Sequence, residues 1–356
     1  MRMEQATLDD PAALRAADPA GMLSLIAGLG PQLREGFDLG RRASGLPAAE
    51  GVRSIVVCGM GGSGIVGDVL RASFGQHISL PLLAVKGYAL PASCGRDTLV
   101  LAISYSGDTE ETLAAYAQAV AGGCRVIAIS SGGEMASLAR ADAVVNTSLP
   151  AHVPTPRAAL GYMAGAAIGA LEAMGIVPGA GRDVDLAAGA LEALSARLGP
   201  DRPAEANEAK SLARWLLERV PVVWGSEGLA EAAALRWKTQ LNENAKVPAF
   251  HAVLPELDHN EIEGWSAGTG QPFALVLLRH RLEHPRIAAR VEATMEAIAG
   301  SHLECRQVRG EGSSPMEALF SLVMLGDFVS TYIAVLRGVD PMPIPVLTRL
   351  KERLRS

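Results

Sequence analysis

A glycine-rich turn between an apolar run and a helical pattern constrains this chain more than any other feature. The run SIVVC (54–58) is rich in β-branched residues and leads directly into GMGGSG (59–64), which satisfies the G-x-G-x-x-G spacing. Glycines let the backbone approach an anion, and the helix that follows offers free N–H groups and a positive dipole end. The stretch therefore predicts a strand, an anion-binding turn and a helix, which is the opening unit of a parallel α/β sheet.

Strand and helix patterns alternate through the rest of the first half. Apolar runs at 80–88, 98–104 and 124–130 are typical of buried strands. A helical pattern at 108–123 separates the last two runs, with acidic residues in its first turn and glycine at its end. Alternation of this kind predicts a parallel sheet with helices on both faces.

The second half repeats the same plan. Residues 219–246 give a strand, a glycine-containing turn and a helix, and the runs at 272–280 and 303–310 mirror the later strands of the first half. The GGSG and serine-rich turns are missing there, so anion binding is expected in the first half only. The pattern predicts two similar α/β subdomains, residues 1–195 and 196–356, with a polar connecting region at 178–209 that is rich in Gly and Pro.

Three further segments complete the prediction. A helix is expected over 20–43, which Pro31 bends or splits, and a long apolar helix over 315–341 precedes a short basic tail. The run at 158–177 comes nearest to a membrane span, but it contains Glu172 and much alanine and glycine. We therefore expect a buried core helix there and no membrane partner.

Composition narrows the class of protein. The chain has 356 residues and a formal net charge of −6, which does not indicate a basic surface for nucleic acid. Its 4 cysteines are far apart and the N-terminus lacks the apolar run of a signal peptide, so a cytoplasmic protein without disulfides is expected. No H-E-x-x-H pattern is present, and no metal site is predicted.

A second turn, ISYSGDTEET (103–112), indicates what the glycine turn binds. Ser104, Ser106 and Thr109 lie close together where a strand becomes a helix, and Ser63 adds a hydroxyl from the glycine turn beside Gly61 and Gly62. Hydroxyls and free N–H groups together suit one phosphate monoester. The alternative is that these residues are ordinary helix N-caps.

A dinucleotide is the other ligand that the glycine turn permits. That interpretation asks for an acidic residue about 20 positions further on, at the end of the second strand. The segment there reads LLAVKGY and carries Lys86 instead. Lysine would suit a 2′-phosphate, so the dehydrogenase hypothesis is weakened and rests on the glycine turn alone.

Several motifs together resemble a known family. GMGGSG and SYSGDTEET resemble the phosphosugar-binding turns of the sugar isomerase (SIS) domain family. The segments TPRAALGYM, LNENAKVPAF, LPELDHNEIEGW and a C-terminal RLKERL resemble those of the bifunctional phosphoglucose/phosphomannose isomerases. The resemblance implies two SIS-type subdomains of flavodoxin-like, three-layer αβα form.

The resemblance also implies a reaction and roles for single residues. The family interconverts glucose 6-phosphate or mannose 6-phosphate with fructose 6-phosphate, with no metal or cofactor. By resemblance Glu243 is the base, His259 and Lys351 assist ring opening and Arg157 stabilises the intermediate. Family members are homodimers in which the histidine comes from the partner subunit, so a homodimer is expected.

One departure from the family pattern and one rival function remain. Asp258 stands where the family more often has Asn and adds negative charge beside His259. The rival to an isomerase is a non-catalytic phosphosugar sensor, since the same domain serves as a binding module. Sensors usually carry a DNA-binding segment, and the sequence shows no helix-turn-helix with a basic face. The preferred epimer does not follow from the sequence.

Overall fold

The computed structural model describes residues 8–266, 268 and 270–355. Within them the first half forms a sheet of 5 parallel strands in the order β2-β1-β3-β4-β5. The strands are β1 Ser54–Cys58, β2 Leu82–Val85, β3 Thr98–Ile103, β4 Arg125–Ser130 and β5 Val145–Ser148. The chain turns to one side after β1 and to the other side at β3. The crevice at which strand order reverses therefore lies beyond the carboxyl ends of β1 and β3.

A second sheet repeats this order. Its 4 described strands are parallel and run β7-β6-β8-β9, which matches β2-β1-β3-β4 of the first sheet. The strands are β6 Val220–Ser226, β7 Phe250–Leu254, β8 Phe273–Arg279 and β9 Glu304–Arg309. The predicted α/β fold with two similar parallel sheets is confirmed, and the predicted counterparts of β3 and β4 occupy equivalent places. The sequence patterns do not predict β5 and β7.

Helices cover both faces of each sheet. In the first half they are α1 Pro11–Ala17, α2 Met22–Ala27, α3 Leu29–Arg41, α4 Gly61–Phe74, α5 Glu110–Ala121, α6 Gly133–Ala141 and α7 Leu160–Ala173. In the second half they are α8 Ala180–Leu198, α9 Glu208–Leu216, α10 Leu229–Glu243, α11 Pro285–Ala297, α12 Pro315–Leu336 and α13 Pro345–Arg355. Short 3-10 turns lie at Pro156–Ala159, Ala204–Ala206, Glu256–His259, Glu261–Trp265 and Ala299–Ser301.

One hydrophobic core joins the two sheets. Alternate residues of a strand point to opposite faces, so Ile55 and Val57 of β1 face a central layer while Val56 and Cys58 face an outer one. The central core also contains Val223 of β6 and runs through α3, α7, α10 and α12. The two sheets therefore share their inner helices and are not independent layers.

Two local predictions differ from the structure. The N-terminal helix is divided at Gly28, which is the C-cap of α2 and the N-cap of α3, and not at Pro31. Pro31 lies in the first turn of α3, where a backbone N–H has no acceptor within the helix, so proline removes no hydrogen bond there. The connecting region at 178–209 contains the helix α8, whose face with Leu191 and Leu194 is buried. The division into 1–195 and 196–356 stays a prediction, and it falls in the last turn of α8.

The long apolar helix α12 is a core element of the described residues. By length and composition α12 could cross a membrane, but 94% of its most apolar stretch is buried inside the molecule. The run at 158–177 contains α7, in which every residue from Leu160 to Leu171 is buried, as predicted.

Glycines bring α3 and α7 into close contact. A Cβ atom at Gly40 would lie 2.0 Å from the carbonyl oxygen of Ala166, and one at Gly165 would lie 2.3 Å from that of Leu33. Gly36 and Gly169 face similar carbonyls at 2.3 and 2.1 Å. The two helix backbones are therefore in contact, and no residue larger than glycine fits at these four positions.

We expect Gly40→Ala to lower the free energy of unfolding by about 1–3 kcal/mol, because its methyl group overlaps the Ala166 carbonyl and the helices must separate. Urea unfolding followed by circular dichroism measures the change. The matched control is Gly189→Ala in α8, where the added Cβ would meet only the Arg34 guanidinium at 3.7 Å. There the same substitution should stabilise by about 0.4–1 kcal/mol. Equal effects at the two positions would contradict the close contact.

Candidate active site

The glycine turn joins β1 to α4 at the switch point of the first sheet. Met60 is the N-cap of α4, and no side chain of the described residues caps this helix start. Gly61 has φ +51°, and a Cβ at Gly62 would lie 2.7 Å from the backbone nitrogen of Arg157. Backbone conformation therefore favours glycine at position 61, and close packing requires it at position 62. The uncapped start of α4 remains open to an anion.

The serine-rich turn joins β3 to α5 beside it. Ser104 is fully buried, and its hydroxyl donates to Thr109 Oγ1 at 3.0 Å and accepts from the Gly107 N–H at 3.1 Å. Thr109 is the N-cap of α5, yet its side chain accepts no hydrogen bond from the helix backbone. Ser106 is exposed and accepts a bond of 3.3 Å from the Asp108 N–H. Helix capping therefore does not account for Ser104 or Thr109.

The two turns contact each other. Ser63 Oγ accepts a hydrogen bond of 3.1 Å from the backbone N–H of Tyr105, which lies between Ser104 and Ser106. Ser63 is 4% exposed, so this bond is shielded from water. The expectation that both turns border one small space agrees with this contact. Their roles toward a phosphate stay predictions.

The end of β2 does not provide the acid that a dinucleotide needs. Lys86 follows the strand, and its ammonium donates to Asp68 Oδ2 of α4 at 2.5 Å. The lysine is therefore already paired with a carboxylate.

The corresponding turns of the second half are occupied by carboxylates. At the start of α10 the Glu231 side chain accepts from the Gly228 N–H at 3.2 Å. After β8 the Glu283 side chain accepts from the His280 N–H at 3.2 Å and from the Arg279 guanidinium at 2.7 Å. Side chains thus take the places that an anion would use, which gives a physical reason why anion binding is expected in the first half only.

Arg157 joins the first half of the chain to the second. Its side chain is 1% exposed, and each of its five N–H groups has an acceptor. Its Nε donates to Asn244 Oδ1 at 2.7 Å. Its Nη1 donates to Thr155 Oγ1 at 2.7 Å and to Glu243 Oε2 at 3.4 Å. Its Nη2 donates to the carbonyl oxygens of Pro341 and Met342, both at 2.8 Å. Burial lowers the pKa of Arg157, and the charge of Glu243 opposes that shift.

Glu243 is the last residue of α10. The predicted apolar face of this helix, Leu229, Ala233 and Trp237, is buried in the central core and fixes the position of the helix end. The Glu243 side chain is 23% exposed, and its carboxylate lies 3.4 Å from the Arg157 guanidinium. The structure therefore brings Glu243, Arg157 and the glycine turn together within one chain.

A second buried ion pair supports Arg157, and the sequence patterns do not predict it. Arg236 donates to both carboxylate oxygens of Asp327 at 3.0 and 2.8 Å, and to the Arg157 carbonyl oxygen at 2.6 Å. Burial raises the pKa of Asp327 although Arg236 acts to lower it. The available signal was an aspartate in the middle of the apolar helix α12, which requires a buried partner.

His259 does not reach Glu243 within one chain. It ends the 3-10 turn that follows β7, at the carboxyl edge of the second sheet, and it is exposed. The helix α10 starts at that same edge after β6 and runs back for 15 residues, a length of about 22 Å. Glu243 therefore lies toward the opposite edge. Asp258 does not pair with His259, because its oxygens accept from Arg290 at 2.9 Å and Thr294 at 2.8 Å.

Lys351 lies on α13, and its side chain is exposed. Near this helix a cleft of about 540 Å³ separates the C-terminal segment from the loop that leads to Arg157. Its lining includes Thr155, Pro156, Met342, Thr348 and Arg349. The helix thus starts beside the Arg157 cluster, and Lys351 points to no described partner. Within the described residues no group of three or more His, Cys, Asp or Glu side chains is placed to hold a metal ion.

Comparisons with known proteins agree with this architecture. Residues 50–170 match the family model of the SIS domain, and residues 205–354 match that of the bacterial phospho-glucose isomerase C-terminal SIS domain. A bifunctional phosphoglucose/phosphomannose isomerase of Caldicellulosiruptor bescii is 35% identical over 339 residues, covering 94% of this chain and 98% of its own. One from Aquifex aeolicus is 35% identical over 307 residues, covering 85% and 91%.

A solved structure is similar over nearly the whole chain. The glucose-6-phosphate isomerase like protein from Thermus thermophilus superimposes with a TM-score of 0.62 at 21% identity, covering 97% of this chain and 99% of its own. This likeness confirms the fold of two SIS-type parallel sheets.

We expect Arg157→Lys to lower the free energy of unfolding by about 3–5 kcal/mol, because an ammonium cannot meet five separate acceptors and leaves buried oxygens unpaired. Urea unfolding measures the loss. Arg281→Lys is the matched control, since Arg281 is exposed and makes one hydrogen bond of 3.4 Å. A loss no larger than that of the control would contradict the assignment of Arg157 as the link between the two halves.

Proposed function

The chain belongs to the bifunctional phosphoglucose/phosphomannose isomerase family of SIS-domain proteins, and from that premise we propose that it is an aldose–ketose isomerase. Its substrates are glucose 6-phosphate, mannose 6-phosphate or both, and its product is fructose 6-phosphate. No metal or cofactor takes part. The observation that supports this most is the juxtaposition of Glu243, Arg157 and the open glycine turn in one chain.

The phosphate of the substrate is held between the two turns. The uncapped start of α4 offers backbone N–H groups at Gly61 and Gly62, and the Ser63 hydroxyl lies beside them. We assign Ser104, Ser106 and Thr109 of the second turn to the same phosphate, and Ser104, which is buried and bonded to Thr109, holds that hydroxyl in place. Both helix starts direct a positive dipole end to this point, which suits a dianion.

Glu243 moves the proton. Its carboxylate takes the proton from C2 of the open-chain aldose, which leaves a cis-enediol(ate), and returns it to C1 on the same face to give the ketose. The hydroxyl proton of the substrate moves in the same direction, from the oxygen on C2 to the oxygen on C1, so atoms and charge balance. Arg157, 3.4 Å from the carboxylate, supplies a fixed positive charge beside the developing oxyanion.

Ring opening needs an acid–base group before this step, and we assign it to His259 of a second copy of the chain, assisted by Lys351. Within one chain His259 lies at the edge of the second sheet that is remote from Glu243. The exposed position of His259 suits delivery into another subunit's site. Histidine fits the task because its charge changes near neutral pH.

The helix α13 offers a surface for that second copy. Its apolar residues are directed away from its own chain, with exposures of 39–69%, whereas Thr348, Arg349 and Glu352 line the cleft on the inner side. The apolar residues are Val346, Leu347, Leu350 and Leu354. Exposed carboxylates of Glu256 and Glu263 flank His259, so basic α13 and the acidic His259 segment are complementary in charge.

We expect the purified protein to convert glucose 6-phosphate or mannose 6-phosphate to fructose 6-phosphate in the presence of EDTA and without added cofactor. Glu243→Gln should lower kcat roughly a thousandfold, because the amide cannot accept the proton, while phosphosugar binding is retained. A coupled assay for fructose 6-phosphate measures turnover, and calorimetry measures binding.

The matched control for this experiment is Glu192→Gln, an exposed glutamate on α8 that pairs with Arg34. It should leave kcat unchanged. Tight binding by the wild type without any turnover would favour the phosphosugar sensor, and wild-type rates in Glu243→Gln would remove Glu243 from the role of base.

Active-site complementation tests the origin of His259. Each of the variants Glu243→Gln and His259→Asn should be nearly inactive alone. A heterodimer that is purified through two different tags should regain about half the wild-type rate per dimer, because one of its two sites then keeps both groups.

If His259 acted in its own chain, no site of that heterodimer would hold both groups and it would stay as inactive as its parents. A mixture of the parents assayed before subunit exchange is the control.

A further inference from the structure

Lys246 occupies an unusual position beside Glu243. It lies in the short segment between α10 and β7 and has φ +58°, a left-handed conformation that a lysine seldom adopts. That conformation costs free energy, so it persists only where the surrounding contacts hold it in place. The side chain folds back so that its ammonium donates to the Glu243 carbonyl oxygen and, at 3.2 Å, to that of Pro341.

The carbonyl of Pro341 is therefore held by two cations. It accepts from Lys246 Nζ and also from Arg157 Nη2 at 2.8 Å, and the next carbonyl, that of Met342, accepts from Arg157 at 2.8 Å. These bonds lie four and three residues before α13 begins at Pro345. They attach the start of the C-terminal segment to the end of the helix that carries Glu243.

Burial and neighbouring charges both act on the Lys246 ammonium. Burial lowers the pKa of Lys246, and the neighbouring Arg157 lowers it further, whereas Asp340 and Glu243 oppose the shift. Two like charges on one carbonyl repel each other, so the arrangement persists because each cation gains a hydrogen-bonded acceptor.

We propose that Lys246 is a positioning residue that fixes the C-terminal segment, and with it α13 and Lys351, to the Glu243 site. The anchoring rests on the contacts above. Its consequence for catalysis rests on the proposed function, in which Lys351 assists ring opening. No direct contact of Lys246 with the substrate is required.

Hydrogen exchange of the intact protein tests the anchoring without reference to activity. In Lys246→Met the amides of α13 should exchange about tenfold faster or more, because a charge-assisted hydrogen bond to the segment is lost. Lys246→Arg should keep most of the protection. Lys238→Met, which removes a half-buried lysine from α10, is the matched control, and the amides of α5 are the internal reference. Unchanged exchange in α13 would overturn the proposal.

A double-mutant cycle tests the consequence. Lys246→Met should lower kcat about tenfold with little change in KM, and its effect should vanish within about threefold when Lys351→Met is already present. Additive losses would mean that Lys246 acts independently of Lys351, which overturns its role in positioning α13 and Lys351. If the wild type has no isomerase activity the proposed function fails, while the exchange result still decides the anchoring. If Lys246→Met does not unfold cooperatively on heating, Lys246→Gln replaces it in both experiments.

Discussion

A buried guanidinium that must find five acceptors determines how the two halves of this molecule meet. Arg157 follows the first sheet, and its acceptors lie on the loop before it, at the end of α10 and on the segment after α12. Because an arginine stays charged in a protein interior, each of these groups must remain in place. The backbone nitrogen of the same residue packs against Gly62. One side chain thus sets the distance between the glycine turn of one sheet and the carboxylate that ends a helix of the other.

In the proposed function the duplicated fold divides the chemistry between its two halves. The strand orders are equivalent, so each half has two helix starts at its switch point. In the first half no side chain caps these starts, whereas in the second half Glu231 accepts from the Gly228 N–H at the start of α10 and the His284 side chain caps α11. A carboxylate at a helix N-terminus satisfies the N–H groups and removes the attraction for a second anion. In the proposed mechanism the second half therefore contributes Glu243 and does not compete for the phosphate.

The sequence predicts best what depends on neighbours along the chain. Sequence patterns identify every described strand except β5 and β7, although β2 is partly exposed and not the buried strand that its apolar run predicts. The glycine turn and the serine-rich turn are visible because each is a run of consecutive residues. Features that depend on distant residues are missed: the buried face of α8, the edge strand β7, and the pair Arg236–Asp327, whose members are 91 positions apart. His259 and Glu243 are close in sequence but lie toward opposite edges of the second sheet. Only the topology of the chain reveals this separation.

The proposed proton transfer suits a site whose charges are already balanced. Among the described residues the cluster around Glu243 contains three cations and three carboxylates. They are Arg157, Arg236 and Lys246, and Glu243, Asp327 and Asp340. When Glu243 takes the C2 proton it becomes neutral, and an equal negative charge develops on the substrate oxygen. The net charge of the cluster does not change, and the charge moves only a short distance within the field of Arg157. Because that guanidinium is fixed by four short hydrogen bonds and its bond to Glu243 is the long one, it can stabilise the oxyanion without reorganising.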